Sequence, residues 1–344
     1  MRATIAIPAH NSTKYFEEAF AGAMRQNFED YEVVVADSSD HDSVQEKVEP
    51  YLTDGKARYL RLPPETEFLV KLNILLKSAQ GEWMTYLCDD DTLREDYLSV
   101  MMKHAESQPQ ATLIRCRFEI IDGEGHLLRM DPGSKEVMGP AEFLSRLFLP
   151  EKKFFKMNIS GVLFHRKTFL EEGGFREFPL AWHADLLSWA LIGSRGLCIF
   201  EKKCLTEIRV HPDSQNSVYD EDLLKAVQTN SGVSDALEHI LKRLEQEVTT
   251  FKDRKFLEAA KKNVKHYMRR HLSRAFDHGF MAALSTDRPG IGEYVGSWLE
   301  KMKQMGVPRF KSALVYSCLG HLAYPVRRPV LDVFKRYKTR KWCR

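Results

Sequence analysis

Hydrophobic and polar positions follow two periods along this chain, and the switches between them mark its parts. Residues 3–8 form a short apolar run of strand length. Asn11 and Ser12 then offer caps for a helix, with Glu17 and Glu18 near its start. Residues 31–36 are rich in β-branched side chains and break at Asp37-Ser38-Ser39-Asp40, as a strand entering a turn does. Residues 57–62 alternate as a third strand and stop at Pro63-Pro64. Helical spacing runs over 67–79 up to Gly81, and a fourth strand, Trp83-Met84-Thr85-Tyr86-Leu87-Cys88, ends in Asp89, Asp90 and Asp91. Strands alternating with helices predict βαβ units around a parallel sheet. Ligands of such sheets collect beyond the carboxyl ends of the strands. Asp37 and Asp89–Asp91 each follow a strand end, so they should meet in space.

Beyond Asp91 the rhythm changes. Residues 111–121 read as a strand, Asp122-Gly123-Glu124-Gly125 as a turn, and 140–149 as a helix. A strand over 159–165 precedes a helix over 167–172 that Gly173-Gly174 stops, then a helix over 183–195 and a strand over 198–210. From about Tyr219 the periodicity is helical, with breaks at Pro289-Gly290 and Pro308. The expected organisation is an α/β domain over 1–218 and a helical region over 219–344.

Composition adds limits. A chain of 344 residues with 43% hydrophobic and 29% charged residues has the make-up of a soluble globular protein. Its six cysteines form no C-x-x-C pair, which suits a reducing compartment and argues against a structural zinc site. No signal peptide and no membrane-spanning run are expected, so the expected location is cytoplasmic. Residues 309–344 carry ten Lys or Arg and one acid, leaving the remainder of a +3 chain net negative. Such asymmetry speaks of partners rather than fold.

The acidic triplet is the sharpest chemical signal. Two like charges about 4 Å apart repel by roughly 1 kcal/mol in water and roughly 4 kcal/mol at an effective dielectric near 20. A hard divalent cation with oxygen ligands, Mn2+ or Mg2+, would relieve that repulsion and would itself favour a polyphosphate. Alternatively, the acids simply open a helix over 92–96, where carboxylates suit the N-terminal dipole.

The ordered motifs resemble the family-2 inverting glycosyltransferases of GT-A fold over roughly residues 1–217. Ile5-Ala6-Ile7-Pro8-Ala9-His10-Asn11 is similar to the family's first strand and turn, and Glu32 to Asp37 to its base-reading strand. Leu72-Asn73 through Ala79-Gln80-Gly81-Glu82 resembles A-R-N…A-x-G-E, and Asp89-Asp90-Asp91 occupies the D-x-D position. Gly161 to Arg166 followed by Gly173-Gly174-Phe175 resembles the acceptor-side segment. Ala184-Asp185 and Arg209-Val210-His211 stand where the family has Glu-Asp and Tyr-Arg-x-His. Ser38, Leu72, Cys88 and Ala184 depart from the pattern.

The resemblance implies a Rossmann-like nucleotide-sugar domain with a mixed sheet, followed by a C-terminal α-helical region. It implies a nucleotide-sugar donor, UDP-linked, seated on Pro8, Ala9, His10, Asp37, Lys71, Asp89 and Asp90. Asp91 and His211 would hold the metal, and Trp182 and His183 would line the acceptor. Asp185 would act as general base. Each has a plainer reading. Asp37 suits a turn, Asp185 a helix N-cap, and a histidine such as His211 at a strand end is commonly structural.

The stretch 309–344 interleaves aromatic and aliphatic residues with cations. It reads either as a helical cap with a solvated basic face or as an interfacial anchor for anionic lipid, as a lipid-linked saccharide acceptor would suit. In the second case the protein is peripheral at the inner face of the cell membrane. The tail carries no nucleic-acid recognition motif, and the residues do not reveal an oligomeric state. Two rival functions stay open. A sugar-nucleotide pyrophosphorylase shares the α/β logic but shows a Gly-rich segment after the first strand, absent at Pro8-Ala9-His10-Asn11. A catalytically inactive relative acting as a binding subunit is the other.

Overall fold

A computed structural model describes residues 2–11, 14–53, 55–133, 136–149, 157–181, 183–211, 223–284 and 291–304. The first half alternates as expected. β1 (Ala3–Ala9), α1 (Phe16–Met24), β2 (Tyr31–Asp37), α2 (Ser43–Val48), β3 (Ala57–Arg61), α3 (Phe68–Ser78) and β4 (Trp83–Tyr86) succeed one another. Next come β5 (Thr92–Leu93), α4 (Tyr97–Ser107), β6 (Ala111–Ile121), β7 (Leu127–Met130), β8 (Val137–Met138) and α5 (Pro140–Leu147). The series continues with β9 (Val162–His165), α6 (Arg166–Glu171), α7 (Ala184–Gly193) and β10 (Leu197–Arg209). Three helices end the described chain: α8 (Leu223–Glu247), α9 (Phe251–Leu284) and α10 (Ile291–Gln304).

The strands form one mixed sheet in the order β3-β2-β1-β4-β9-β6-β10-β5, with β7 on β6 and β8 on β10. β1 pairs in parallel with β2 and β4, and β2 with β3. Every residue of β1 and β2 is buried, as the near-continuous apolar run of a two-sided parallel sheet requires. β9 is antiparallel to both β4 and β6, whereas β10 runs parallel to β6. The register Ala9↔Asp37 brings the carboxyl ends of β1 and β2 level.

Two close approaches fix the central strands. A Cβ on Gly81 would lie 2.6 Å from the backbone of Ala3 and Thr4, so only glycine lets β4 start beside β1. Glu32 is buried on β2, but Thr4 Oγ1 (2.8 Å), the Gln80 N–H (2.6 Å) and Arg58 Nη1 (2.7 Å) donate to it. An aromatic cluster fastens the later elements. Phe164 stacks on Tyr86 and meets Phe169 and Trp189, while Phe175 lies edge-on to Tyr86 and Phe169. Each such pair adds about 0.5–1.5 kcal/mol beyond area burial. Trp189 carries this packing into α7, in which every residue but Asp185 is buried.

Several boundaries differ from expectation. α1 starts at Phe16 with Tyr15 as N-cap and no side-chain cap. Asn11 cannot serve because its side chain accepts the Asp40 N–H at 3.1 Å, and its backbone is left-handed (φ 52°). Ser12 lies outside the described residues. The helix considered over 92–96 is instead the strand β5, because Thr92 and Leu93 pair with Glu207 and Thr206 of β10. The helix begins later, at Tyr97.

By internal contacts the chain divides into one unit of residues 1–214 with 235–264 and another of 215–234 with 265–344, so α8 and α9 contribute to both. Within the first unit, Arg243 donates to Glu172 (2.9 Å) and Ser194 (2.5 Å), and Asn263 to the Ser145 carbonyl (2.8 Å). These bonds fasten residues 235–264 beside α5, α6 and α7. Among the described residues no helix is long and apolar enough to cross a membrane.

Candidate active site

The parallel strands β2, β1 and β4 deliver three loops to one edge. Asp37, the last residue of β2, is wholly buried and accepts four hydrogen bonds. The Ser39 N–H (2.8 Å) and Oγ (2.5 Å) donate to Oδ1, and the Tyr59 hydroxyl (2.6 Å) and Arg61 Nη1 (3.3 Å) to Oδ2. Burial and the Asp37 hydrogen bond push the Tyr59 phenol up to about 12, so it stays a neutral donor. His10, just past β1, bridges to the third loop. Its Nδ1 lies 3.0 Å from the Ser38 carbonyl, which makes Nδ1 the protonated nitrogen, and its backbone N–H reaches Asp89 Oδ2 at 3.3 Å. Lys71 runs beneath this floor and donates to the Ala9 carbonyl at 2.5 Å. Burial lowers its pKa, against the raising influence of the Asp89 and Asp37 charges. Pro8 and Ala9 are buried in β1 below His10. Asp37 and the acidic triplet thus converge through His10 and Lys71.

Beyond β4 the acids divide. Burial, then the charge of Asp90, lifts Asp89 to about 6, with the His10 N–H opposing. The same two influences raise Asp91, opposed by a hydrogen bond from Ser160 and by the Arg209 N–H at 2.9 Å. The β5–β10 pairing, with Thr92 beside Glu207, brings the Arg209 backbone within reach of the Asp91 side chain. Asp90 Oδ2 meets His211 Nε2 at 3.2 Å. Arg209 acts as a clamp around them. Its Nε donates to the Asp90 carbonyl (3.0 Å) and Nη2 to Glu18 (2.7 Å), and its guanidinium lies 4.5 Å from the centre of the Tyr15 ring. The His211 ring packs on the same tyrosine at 5.1 Å.

Ligand atoms of Cys88, Asp90 and Asp91 lie within 4.8 Å of one another. Carboxylate oxygens suit a hard divalent cation. Cys88 does not, because burial and the Asp91 and Asp90 charges hold it as a neutral thiol. Asp90 and Asp91 therefore fit Mn2+ or Mg2+, and the His211 nitrogen lies against Asp90 on its other side. Sequence reasoning assigned Asp91 and His211 to the metal and Asp90 to the donor; here Asp90 stands between the other two.

Asp185 occupies the first turn of α7, and its Oδ1 accepts the Leu186 N–H at 2.7 Å. Its pKa is raised by burial, against that hydrogen bond. The N-cap position is taken by His183, buried and left-handed (φ 61°). No hydrogen bond or ion pair among the described residues joins Asp185 to the acidic group. Trp182 lies outside the described residues. Asn73 ties two motifs together, because its side chain accepts the Phe175 N–H (2.9 Å) and donates to the Phe175 carbonyl (2.8 Å). Tyr59, Arg61, Ser160 and Glu18 are site neighbours that sequence reasoning missed, for their partnerships span 22 to 191 residues. A cleft of about 700 Å3 lined by Arg2, Trp83, Pro109, His165 and Arg195 lies at the opposite, amino ends of β4 and β6, away from these acids.

Residues 4–170 match the model of glycosyl transferase family 2. The chain carries a family-2 glycosyltransferase domain. Its fold is GT-A, as in Staphylococcus aureus TarS 1–349 in complex with UDP-GlcNAc, with a TM-score of 0.62 at 15% identity over 98% of this chain and 92% of that one. Among curated relatives, the GalNAc(5)-diNAcBac-PP-undecaprenol β-1,3-glucosyltransferase of Campylobacter jejuni is 27% identical over 51% of this chain and 54% of its own length. The poly(ribitol-phosphate) β-N-acetylglucosaminyltransferase TarS is 29% identical over 28% of this chain and 18% of its own. The chain thus spans about half, or less, of the length of these relatives.

Proposed function

We propose that this protein is an inverting, metal-dependent glycosyltransferase that moves a sugar from a nucleoside-diphosphate donor, UDP-linked, to a saccharide or lipid-linked saccharide. The carrying observation is that Asp90 and Asp91 lie within 4.8 Å of one another, with His211 on Asp90 at 3.2 Å, at the carboxyl edge of a family-2 domain and next to the loop of His10. The base and ribose would lie over Pro8, Ala9, His10 and Asp37, with Asp89 and Lys71 toward the phosphates. A cation held by Asp90, Asp91 and His211 would neutralise charge on the departing diphosphate. Asp185 would take the proton of the acceptor hydroxyl as its oxygen bonds to the anomeric carbon and the bond to the donor diphosphate breaks, which inverts that centre. Burial makes Asp185 more basic than an exposed aspartate, in keeping with that task. Trp182 and His183 would line the acceptor.

The name of the Campylobacter relative, which refers to a PP-undecaprenol saccharide, supports a lipid-linked acceptor here. Synthesis of a cell-surface polysaccharide or glycolipid follows, with residues 309–344 holding the enzyme to the inner face of the membrane. That tail lies outside the described residues, and its support is its charge and apolar content. The inactive-subunit reading draws on Cys88 and Ala184, which replace acids of the family pattern. Incubation with UDP-sugars and Mn2+ separates the two. Slow UDP release that chelation stops and Asp91→Asn abolishes is expected of the enzyme. No release with any donor, beside intact nucleotide binding, would establish the inactive reading.

A further inference from the structure

The surroundings of Asp37 bear on how a nucleotide base is read, given the donor site proposed above. An ionised carboxylate offers about four lone-pair positions. Ser39 occupies two of them, Tyr59 one and Arg61 one. Asp37 and Ser39 have no solvent exposure, so no ligand atom reaches the carboxylate while the cluster stands. Arg61 differs, with its side chain 37% exposed at the end of β3. Its Nη1 is directed inward, within 3.3 Å of Asp37, 3.2 Å of the His41 carbonyl and 3.1 Å of the Tyr59 hydroxyl. Its Nη2 faces exposed Asp42 at 3.2 Å. Guanidinium carries five N–H donors in a rigid fork, and Nε together with the second Nη2 hydrogen has no partner among the described residues. The loop that carries Ser38 and Ser39 is fixed in turn by His10 and by the Asn11 N–H on Ser39 Oγ (2.8 Å).

We propose that Arg61, seated on Asp37, is the specificity-determining residue of the donor pocket and reads the base by donating to it. Asp37 then acts as the anchor of Arg61 rather than as the acceptor of an imide N–H. A donating side chain selects a base that presents a carbonyl where its counterpart presents an amino group. The class chosen is the oxo bases, uracil, thymine or guanine, over cytosine and adenine.

Calorimetric titration with UDP, CDP, GDP and ADP in Mn2+ buffer tests this on the full chain. Wild type binds an oxo-base diphosphate at least about tenfold more tightly than its amino counterpart, the size of one charge-assisted hydrogen bond. Arg61→Met cuts that preference to about threefold or less, and Arg61→Lys restores part of it. Adding Asp37→Asn to Arg61→Met changes the preference by no more than about twofold, since the two act as one unit. Arg61→Met leaves the buried Asp37 carboxylate without its cation, so its melting temperature should fall. Arg61→Lys keeps the charge, and affinities are read well below the onset of unfolding of each variant. The proposal is overturned if Arg61→Met keeps or sharpens the preference while Asp37→Asn erases it in both backgrounds. A wild type that favours CDP or ADP also overturns it. If no diphosphate binds wild type at all, the donor-site reading itself fails and this inference goes with it.

Discussion

At the scale of single residues, Asp185 pits chemistry against stability. Burial raises its folded pKa above the unfolded value, so the native state holds its proton more tightly. Stability from this group is therefore present at low pH and is lost as pH rises from the ordinary aspartate range through the raised value. Activity behaves oppositely, because a general base must be ionised. Turnover should fall on the acid side at a pH above that of an exposed aspartate, measurable in the pH profile of kcat. Asp185→Asn should keep nucleotide affinity and lose at least about 100-fold in turnover, with an unchanged or higher melting temperature at pH 7.5 by calorimetry. Retained turnover would remove Asp185 from the chemistry. For the acids, Mn2+ should raise the melting temperature of wild type and fail to do so in Asp90→Asn and Asp91→Asn. Identities and strand-end positions of Asp37, Asp89, Asp90 and Asp91 were legible in the chain, because β-branched runs ending in acids are local signals. Their partners were not. Tyr59 lies 22 residues from Asp37, and Arg209 lies 118 from Asp91. Nothing local announces that a strand end will turn toward such a neighbour.

Among the elements, the sheet edge is set by glycines as much as by apolar runs. Gly161 takes φ +84°, and a Cβ there would stand 2.7 Å from Thr206 Oγ1 on β10. Ser160 beside it accepts the Cys88 N–H at 2.9 Å and donates to Asp91. Gly161→Ala should cost about 1–3 kcal/mol in denaturant unfolding and also weaken the Mn2+ stabilisation, because Ser160 moves with it. A neutral result on both counts would mean that β9 and β10 can separate cheaply. Strongly patterned elements such as β1, β2, α3 and β6 were readable to within a residue or two. α4 carries a helical stripe (Tyr97, Leu98, Met101, Met102, Ala105) that the sequence reading passed over, since it considered a helix only over 92–96, as the alternative account of the acids before it. β7 has four exposed residues and β8 only two residues in all, so neither presents an alternating face. Their pairing is decided by β6 and β10, not by their own side chains.

For the whole molecule, the basic tail carries the membrane association proposed above, and that proposal has a direct test. Each cation near an anionic surface contributes about 1 kcal/mol, so three engaged would raise partitioning about 100-fold. The 344-residue chain should sediment with anionic vesicles at low salt and release at high salt, while a chain ending at Gly306 stays in the supernatant. Identical sedimentation of both would place any lipid affinity elsewhere. The α/β class and the helical end were legible at this scale, since alternating and helical periods extend over long windows. The grouping of 235–264 with the sheet unit was not, because α8 and α9 look uniform along their length. The β5–β10 pairing has one more consequence, for synthesis. Chains leave the ribosome amino end first, yet Asp91 obtains its Arg209 backbone donor only after 118 further residues have been made. A nascent chain halted before β10 would present β6 with an open edge and an acidic loop without its clamp. Such a fragment should recruit chaperones, and a pocket able to discharge sugar donors should arise late, once translation has passed His211.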